Sequence, residues 1–147
     1  MMKLQGIARR AVKKAAMEEL DACEITTDKG VFGDVRGKPG KRQVTVLSEE
    51  AWHQACLESG AELRWTARRA NLLVTGLEFD ATFVGKIIQI GDVQLQVTIE
   101  TAPCERMDKA HQGLRKALAS HWRGGVCCRV KTAGRVRVGD LVTVIDG

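Results

Sequence analysis

Hydrophobic and polar residues alternate strictly through Val93, Leu95, Val97 and Ile99, with Gln94, Gln96 and Thr98 between them. A two-residue period belongs to a strand with one face in a core and the other in water. Lys86-Ile-Ile-Gln-Ile90 precedes this run across Gly91-Asp92, so 86–99 predicts a hairpin. Further β-rich runs stand at Gln43-Val-Thr-Val-Leu47, at Asn71-Leu-Leu-Val-Thr75 ahead of Gly76, and at Leu141-Val-Thr-Val-Ile145 after Gly139-Asp140. Gly125–Val130 and Arg135–Val138, separated by Thr132-Ala-Gly134, predict a second hairpin. Short strands at close spacing, punctuated by glycine, indicate a mainly β fold with a barrel or sandwich core.

A helical period interrupts the strands twice. Ser48 is placed as an N-cap, with Glu49 and Glu50 at the positive end of the helix dipole. Trp52, Ala55 and Cys56 then share a face, and Gly60 supplies a stop. Within 105–122, Met107, Ala110, Leu114, Ala117 and Leu118 recur at helical spacing. Gly113 costs about 1 kcal/mol relative to Ala inside a helix, which favours two shorter helices broken there. The first 22 residues read two ways. Ala, Lys, Glu and Leu give 8–20 helix propensity, whereas Leu4–Arg9 with Gly6 fits a strand entering the sheet.

The chain has 147 residues, 44% hydrophobic and 28% charged, a balance that excludes disorder and fibrous repeats. That length suits one domain, residues 1–147, burying roughly 68–70% of its unfolded surface. No apolar run approaches the roughly 18 residues of a membrane span, and Met-Met-Lys-Leu-Gln-Gly does not open a secretory signal. The expectation is a cytoplasmic protein. Lys and Arg number 23 against 18 Asp and Glu, a net charge of +5, compatible with nucleic acid, a phosphorylated cofactor, or solubility alone. Aromatic content of 4% with no Tyr leaves little stacking platform, which weighs against nucleic acid. The five cysteines form no C-x-x-C, and the three histidines do not sit at ligand spacing from them. Free thiols in a reducing compartment follow.

No serine-hydrolase signature, phosphate-binding P-loop or dinucleotide fingerprint is present. Gly37–Gln43 is glycine-rich and basic, so its backbone amides with Lys38, Lys41 and Arg42 could hold an anion. The plain alternative is a solvated turn. Cys104 follows Pro103 at a strand end and precedes Glu105-Arg106, where a helix begins. A helix N-terminus and a neighbouring arginine favour thiolate, the form that attacks, carries sulfur or binds a soft metal. Its alternative is a packed cysteine at an element boundary. Cys127 and Cys128 point to opposite faces of one strand and read as structural.

The order of several short motifs resembles a known family. Gly30-Val-Phe-Gly-Asp34, Lys41-Arg-Gln-Val-Thr-Val-Leu-Ser48 and Arg69-Ala-Asn-Leu-Leu73 with Gly76-Leu77 come first. Ile90-Gly91, Pro103-Cys104, Arg123-Gly-Gly-Val126 with Arg129-Val130, and Gly134 through Val138-Gly-Asp140 follow. Together, over about residues 25–145, they are similar to the MOSC domain, the C-terminal module of molybdenum cofactor sulfurases, in its small standalone bacterial type.

The resemblance implies a β-barrel-like core with short helices, and near the start a strand followed by an irregular segment rather than a helix over 8–20. It implies that Cys104 ligates molybdenum or carries sulfur as a persulfide. Arg69 and Asn71 match an R-x-N element near the cofactor, and Arg42 and Arg129 match basic positions that could meet the pterin phosphate. Asp34 sits in a turn after which standalone members often carry a histidine two residues on; here that position is Arg36. The implied cofactor is molybdopterin, and the implied partners are a cysteine desulfurase or a reductase. Two chemistries are open: reduction of N-hydroxylated compounds at the metal, as in the mitochondrial amidoxime reducing component, or sulfur delivery to a metal centre. A non-catalytic sulfur relay and a small basic barrel binding nucleic acid are the alternatives from other classes. The cysteine reading requires Cys104 to be reachable beside a cavity walled by arginines.

Overall fold

Apolar alternation sorts most of the chain into strands in the computed structural model, which describes residues 1–147. In order these are β1 (Lys3–Arg9), β2 (Glu18–Leu20), β3 (Ala22–Thr26), β4 (Gly30–Val31), β5 (Val44–Ser48) and β6 (Leu72–Thr75). They continue as β7 (Ile87–Ile90), β8 (Val93–Glu100), β9 (Val126–Thr132), β10 (Gly134–Arg137) and β11 (Val142–Ile145). The helices are α1 (Glu49–Ser59), α2 (Glu105–Ala110) and α3 (Leu114–Ala119), with 3-10 turns at Trp65–Arg68, Ala81–Phe83 and Ser120–Trp122.

Eight strands form one sheet in the order β11-β7-β8-β9-β5-β6-β1-β2, and β10-β3-β4 form a second. The expected hairpin over 86–99 is present, with Ile90 opposite Val93 across Gly91-Asp92. Only β5 and β6 run parallel, because α1 and the turn at Trp65–Arg68 carry the chain back between them. At its far ends the large sheet curls until Lys3 bridges Leu141, and Leu4 N–H donates to the Asp140 carbonyl at 2.8 Å. The sheet is barrel-like in its curl but does not close as a continuous ladder.

Alternate residues of the central strands feed two different cores. Val44, Val46, Leu72 and Val74 enter a cluster of 20 buried residues within the curled sheet. Leu47 and Leu73 face the other way, into a cluster of 12 that packs Trp52 and Ala55 of α1 and Leu114 and Leu118 of α3 against the outer face. α1 begins as expected, with Ser48 Oγ accepting from Ala51 N–H at 3.2 Å, and ends at Gly60 with φ 77°. That left-handed conformation suits a residue without Cβ. The helical stretch at 105–122 is broken into α2 and α3 ahead of Gly113, as its glycine predicts.

Two expectations are corrected. Residues 125–138 do not form a hairpin: only Ala133 separates β9 from β10, too little for a two-residue hairpin turn. The chain bends there instead, and β10 pairs with β3, setting Arg135 opposite Glu24 and Val136 opposite Cys23. Residues 8–20 hold no helix. β1 pairs with β6 on one side and β2 on the other, so burial of Leu4, Ile7 and Ala8 overrides helix propensity. β3 and β4 are short and lie outside the strands read from the sequence, although Cys23 and Ile25 of β3 are buried on either side of exposed Glu24.

Gly6 sits at a register shift of β1, where the indole of Trp65 covers the strand. A Cβ at this position would stand 2.7 Å from Trp65 Cζ2. Gly6→Ala is therefore expected to destabilise the protein by about 1–3 kcal/mol through overpacking. Chemical denaturation measures this, and an unchanged midpoint would contradict the packing described.

Candidate functional site

Two adjacent strands lead to two arginines that line one cavity. β1 and β6 are antiparallel with Ile7 opposite Leu72, and Ala8 N–H donates to the Asn71 carbonyl at 2.7 Å. Beyond those strand ends Arg10 and Arg69 both line one cavity, near enough that the Arg69 charge lowers the Arg10 pKa. The Asn71 amide locks the corner. Its Nδ2 donates to the Ala8 carbonyl at 3.2 Å, its Oδ1 accepts from Thr45 N–H at 3.1 Å, and its backbone N–H donates to Thr45 Oγ1 at 3.0 Å. One side chain thus ties β1, β5 and β6 together.

Arg10 is only 6% exposed, yet its guanidinium has no hydrogen-bond or ion-pair partner. Its backbone is held instead: Arg10 N–H donates to Asp34 Oδ1 at 3.1 Å, and its carbonyl accepts from Val35 N–H at 2.8 Å. Asp34 Oδ2 accepts from Arg36 N–H at 3.1 Å, so both carboxylate oxygens are committed to main-chain donors. Burial lowers the Arg10 pKa, and the cations of Arg69, Arg36 and Arg106 lower it further against the opposing pull of Asp34. Arg69 Nη1 is buried without a partner. Arg69 also sits at φ 65°, ψ 29°, a left-handed conformation of the kind that concentrates at functional sites.

These groups border a cavity of about 690 Å³ closed on its far side by the loop 34–42. Arg10, Arg36, Lys38, Lys41, Arg42 and Arg69 line it against one carboxylate, Asp34. Gln43 fastens the loop, donating from Nε2 to the carbonyls of Thr27 and Gly37 at 2.9 and 3.1 Å and accepting from Val130 N–H at 3.0 Å.

The Pro103-Cys104 segment follows β8 just after Thr101, which lines this cavity. Cys104 is exposed, and its carbonyl accepts from Met107 N–H at 3.0 Å at the start of α2. Arg68 holds the segment in place, donating from Nε to the Gly124 carbonyl at 3.1 Å and from Nη2 to the Thr101 carbonyl at 2.8 Å. Its own pKa is lowered by burial, an effect that nearby Cys104 and Cys127 oppose. Gly124 allows this close packing, because a Cβ there would run into the Thr101 carbonyl. Thr101 and Cys127 both line the cavity, with Oγ1 and Sγ 3.2 Å apart.

The structure therefore gathers Arg42, Arg69 and Asn71 around one cavity, with Cys104 just outside its lining. Arg129 lies two residues beyond Cys127 on β9, exposed and outside the lining. Sequence reading missed Arg10 and Cys127 as cavity residues, and Arg36 as a contributor of charge. The signal for Arg10 was the pair Arg9-Arg10 ending an apolar run, legible only once that run is known to be a strand.

A family model described as the MOSC domain matches residues 27–143. The chain belongs to the MOSC domain family. That family is associated with the molybdenum cofactor. Among solved structures, this MOSC domain is similar to the YUAD protein from Bacillus subtilis, with 20% identity and a TM-score of 0.81 over 100% of this chain and 97% of that one. It is similar to YiiM from Geobacillus stearothermophilus, with 17% identity and a TM-score of 0.77 over 99% of this chain and 76% of that one. YiiM from Escherichia coli follows with 16% identity and a TM-score of 0.74, over 100% and 71%. At these identities the likeness is one of fold. No curated protein matches the chain in sequence at a significant level.

The five thiols differ in access and in acidity. Burial raises the pKa of Cys23 to about 11, and it raises those of Cys56 and Cys128 as well. Iodoacetamide at pH 8 is expected to label Cys104 first and Cys56 more slowly, leaving Cys23 and Cys128 unmodified until denaturant is added. Peptide mass spectrometry reads that order; labelling of Cys23 as fast as Cys104 in the native protein would contradict it.

Proposed function

We propose that this MOSC domain binds molybdopterin, with the anionic part of the cofactor in the cationic cavity and the Cys104 thiolate at its metal. The observation that carries the reading is a cavity lined by six cations and one carboxylate, with Thr101 in its wall three residues before the exposed Cys104. No group of three or more His, Cys, Asp or Glu side chains could hold a metal ion in this chain. A metal bound here would therefore need most of its ligands from the cofactor, with the protein adding one soft donor.

Within this reading the residues divide by what they have free. Arg42 and Arg69 offer guanidinium donors to the cofactor. Asn71, its amide committed to Ala8 and Thr45, acts by holding Arg69 and Arg10 in register. Arg129 takes part only with a ligand that extends out of the cavity across β9. Arg68 and Gly124 position the segment that presents Cys104.

When bound, the molybdenum centre supplies two-electron redox chemistry, fed by a reductase partner and suited to reducing N-hydroxylated compounds. A second reading is favoured by the exposure of Cys104, since a thiol visited by a protein donor must stand clear of the cavity. Here the Cys104 thiolate attacks the outer sulfur of a cysteine desulfurase persulfide. The donor S–S bond breaks, a new one forms at Cys104, and the donor cysteine leaves as a thiolate. Delivery of that outer sulfur to a metal centre as sulfide would take two electrons from a dithiol reductant and return Cys104 to its thiolate.

The test is expression in a host that makes molybdopterin, followed by metal and pterin analysis of wild type and Cys104→Ala. Near-equimolar molybdenum and pterin in wild type, with metal lost in the variant, is expected for cofactor binding through Cys104. A Cys104 peptide heavier by one sulfur atom, without metal, moves the assignment to sulfur carriage. Neither molybdenum nor persulfide in wild type would overturn both.

A further inference from the structure

The cavity wall contains a thiol of its own. Cys127 lines the cavity although it is only 1% exposed, whereas Cys104 is exposed and stands outside the lining. Strand alternation separates Cys127 from Cys128, which joins Cys23 in the core within the curled sheet. Cys56 lines a different hollow, beside Trp52 and Leu57 of α1. One thiol therefore meets the surroundings and another meets the cavity. Two side chains mark that cavity separately as a place for a ligand: Arg10, buried without a partner, and Arg69, whose Nη1 is buried without one.

A short stretch of chain joins the two thiols. Cys127 Sγ lies 3.2 Å from Thr101 Oγ1, and Cys104 follows Thr101 by three residues, which span at most about 10–11 Å when fully extended. The Arg68 guanidinium, which holds the Thr101 carbonyl, interacts with the charge of both thiolates. Ala102 and Pro103 make no backbone hydrogen bond, so little opposes a swing of this stretch toward β9. It already runs beside the chain entering β9, since a Cβ at Gly124 would stand 3.4 Å from Pro103 Cδ.

We propose that Cys127 is a second sulfur carrier, which takes the outer sulfur from a Cys104 persulfide and holds it in the cavity wall. The relay rests on the sulfur-carriage reading of Cys104 and deepens it. Cys127 gives up its proton to solvent, and its thiolate attacks the outer sulfur. The bond from that sulfur to Cys104 Sγ breaks, a new one forms to Cys127 Sγ, and Cys104 leaves as a thiolate. One S–S bond replaces another, so no oxidant or reductant is consumed. The transferred atom also shortens the gap. With an S–S bond of about 2.05 Å and an attack distance of about 3–3.5 Å, the two Sγ atoms need approach only to roughly 5–5.5 Å. The division of labour follows from burial: an exposed thiol can meet a protein donor and a 1% exposed one cannot, whereas only the wall thiol faces a ligand in the cavity.

The experiment mixes the metal-free chain with glutathione persulfide, quenches samples at intervals with iodoacetamide in denaturant, and digests them with trypsin. Fragmentation of the peptide Gly124–Arg129 separates Cys127 from Cys128. In wild type the extra sulfur is expected on Cys104 first and then on Cys127 at the expense of Cys104. Cys104→Ser should slow loading of Cys127 about tenfold or more, because access governs thiol exchange. Cys127→Ser should strand the sulfur on Cys104, and Cys56→Ser should leave the wild-type order unchanged. Loading of Cys127 at the wild-type rate in Cys104→Ser would overturn the relay. A Cys104–Cys127 disulfide with sulfide released would overturn it too, since attack at the inner sulfur discharges the atom instead of passing it on. A persulfide confined to Cys104 in wild type overturns the relay alone and leaves sulfur carriage standing, whereas no extra sulfur on either residue removes both.

Discussion

The pairing of β1 with β6 delivers the chain on either side, at Arg10 and at Arg69, to the wall of one cavity, and much of the site can be traced to that proximity. Two guanidiniums lining one cavity repel, and Arg10, a residue 6% exposed, has little water around it to screen the repulsion. What opposes separation lies just inside the sheet. Leu4, Ile7, Leu72 and Val74 are fully buried, each worth about 1.5–3 kcal/mol relative to exposure. The Asn71 amide joins three strands at the point where the arginines emerge. The register cannot slip to relieve the charges without turning these side chains to the wrong face. An anion bound at this corner only in the folded chain would add its binding free energy to stability.

Adjacent residues repeatedly serve opposite purposes here. Arg68 turns inward, holding the carbonyls of Thr101 and Gly124, whereas Arg69 faces the cavity. Cys128 belongs to the core within the curled sheet, and Cys127 belongs to the cavity wall. In β9 the reason is the two-residue period of a strand. At 68–69 it is the left-handed backbone of Arg69, which reverses the chain between the 3-10 turn and β6. The consequence reaches Cys104. Its segment is anchored by Arg68 on the same short turn that supplies Arg69, so the thiol and the cationic corner share one support.

The helix ends, the hairpin over 86–99 and the break at Gly113 were legible because each rests on local chemistry: a capping hydroxyl, a tight turn, a residue without Cβ. The N-terminal strand was only half legible. Its helix-favouring composition conflicts with a partner, β6, that lies some 65 residues on, and long-range pairing prevailed. The pairing of β10 with β3 was missed for a related reason, since proximity in sequence favours a hairpin and nothing local shows that one residue is too short a turn. At the site, Arg42, Arg69 and Asn71 could be carried over from motif order, and the cavity gathers all three. Arg10 could not, because what sets it apart is burial without a partner, which no run of letters displays. Arg36 stands at a position read from the family pattern as a missing histidine, and only the geometry shows it adding charge to the same corner.

The division between one thiol and many cations constrains how such a site can hold a ligand. A single sulfur on an exposed loop binds a metal centre weakly and allows it to rotate. Anchoring the distant anionic end of the same molecule changes this, because the second attachment then forms within one complex rather than between separate partners. Effective concentration depends on both anchors being rigid. The Arg10–Arg69 corner is fixed by strand pairing, and the Cys104 segment by the Arg68 hydrogen bonds and the close contact at Gly124. A loop-borne cation such as Lys38 could add affinity, but it could not set the distance between the two anchors. The sheet sets that distance, and the fold that contains the sheet is shared at 16–20% identity.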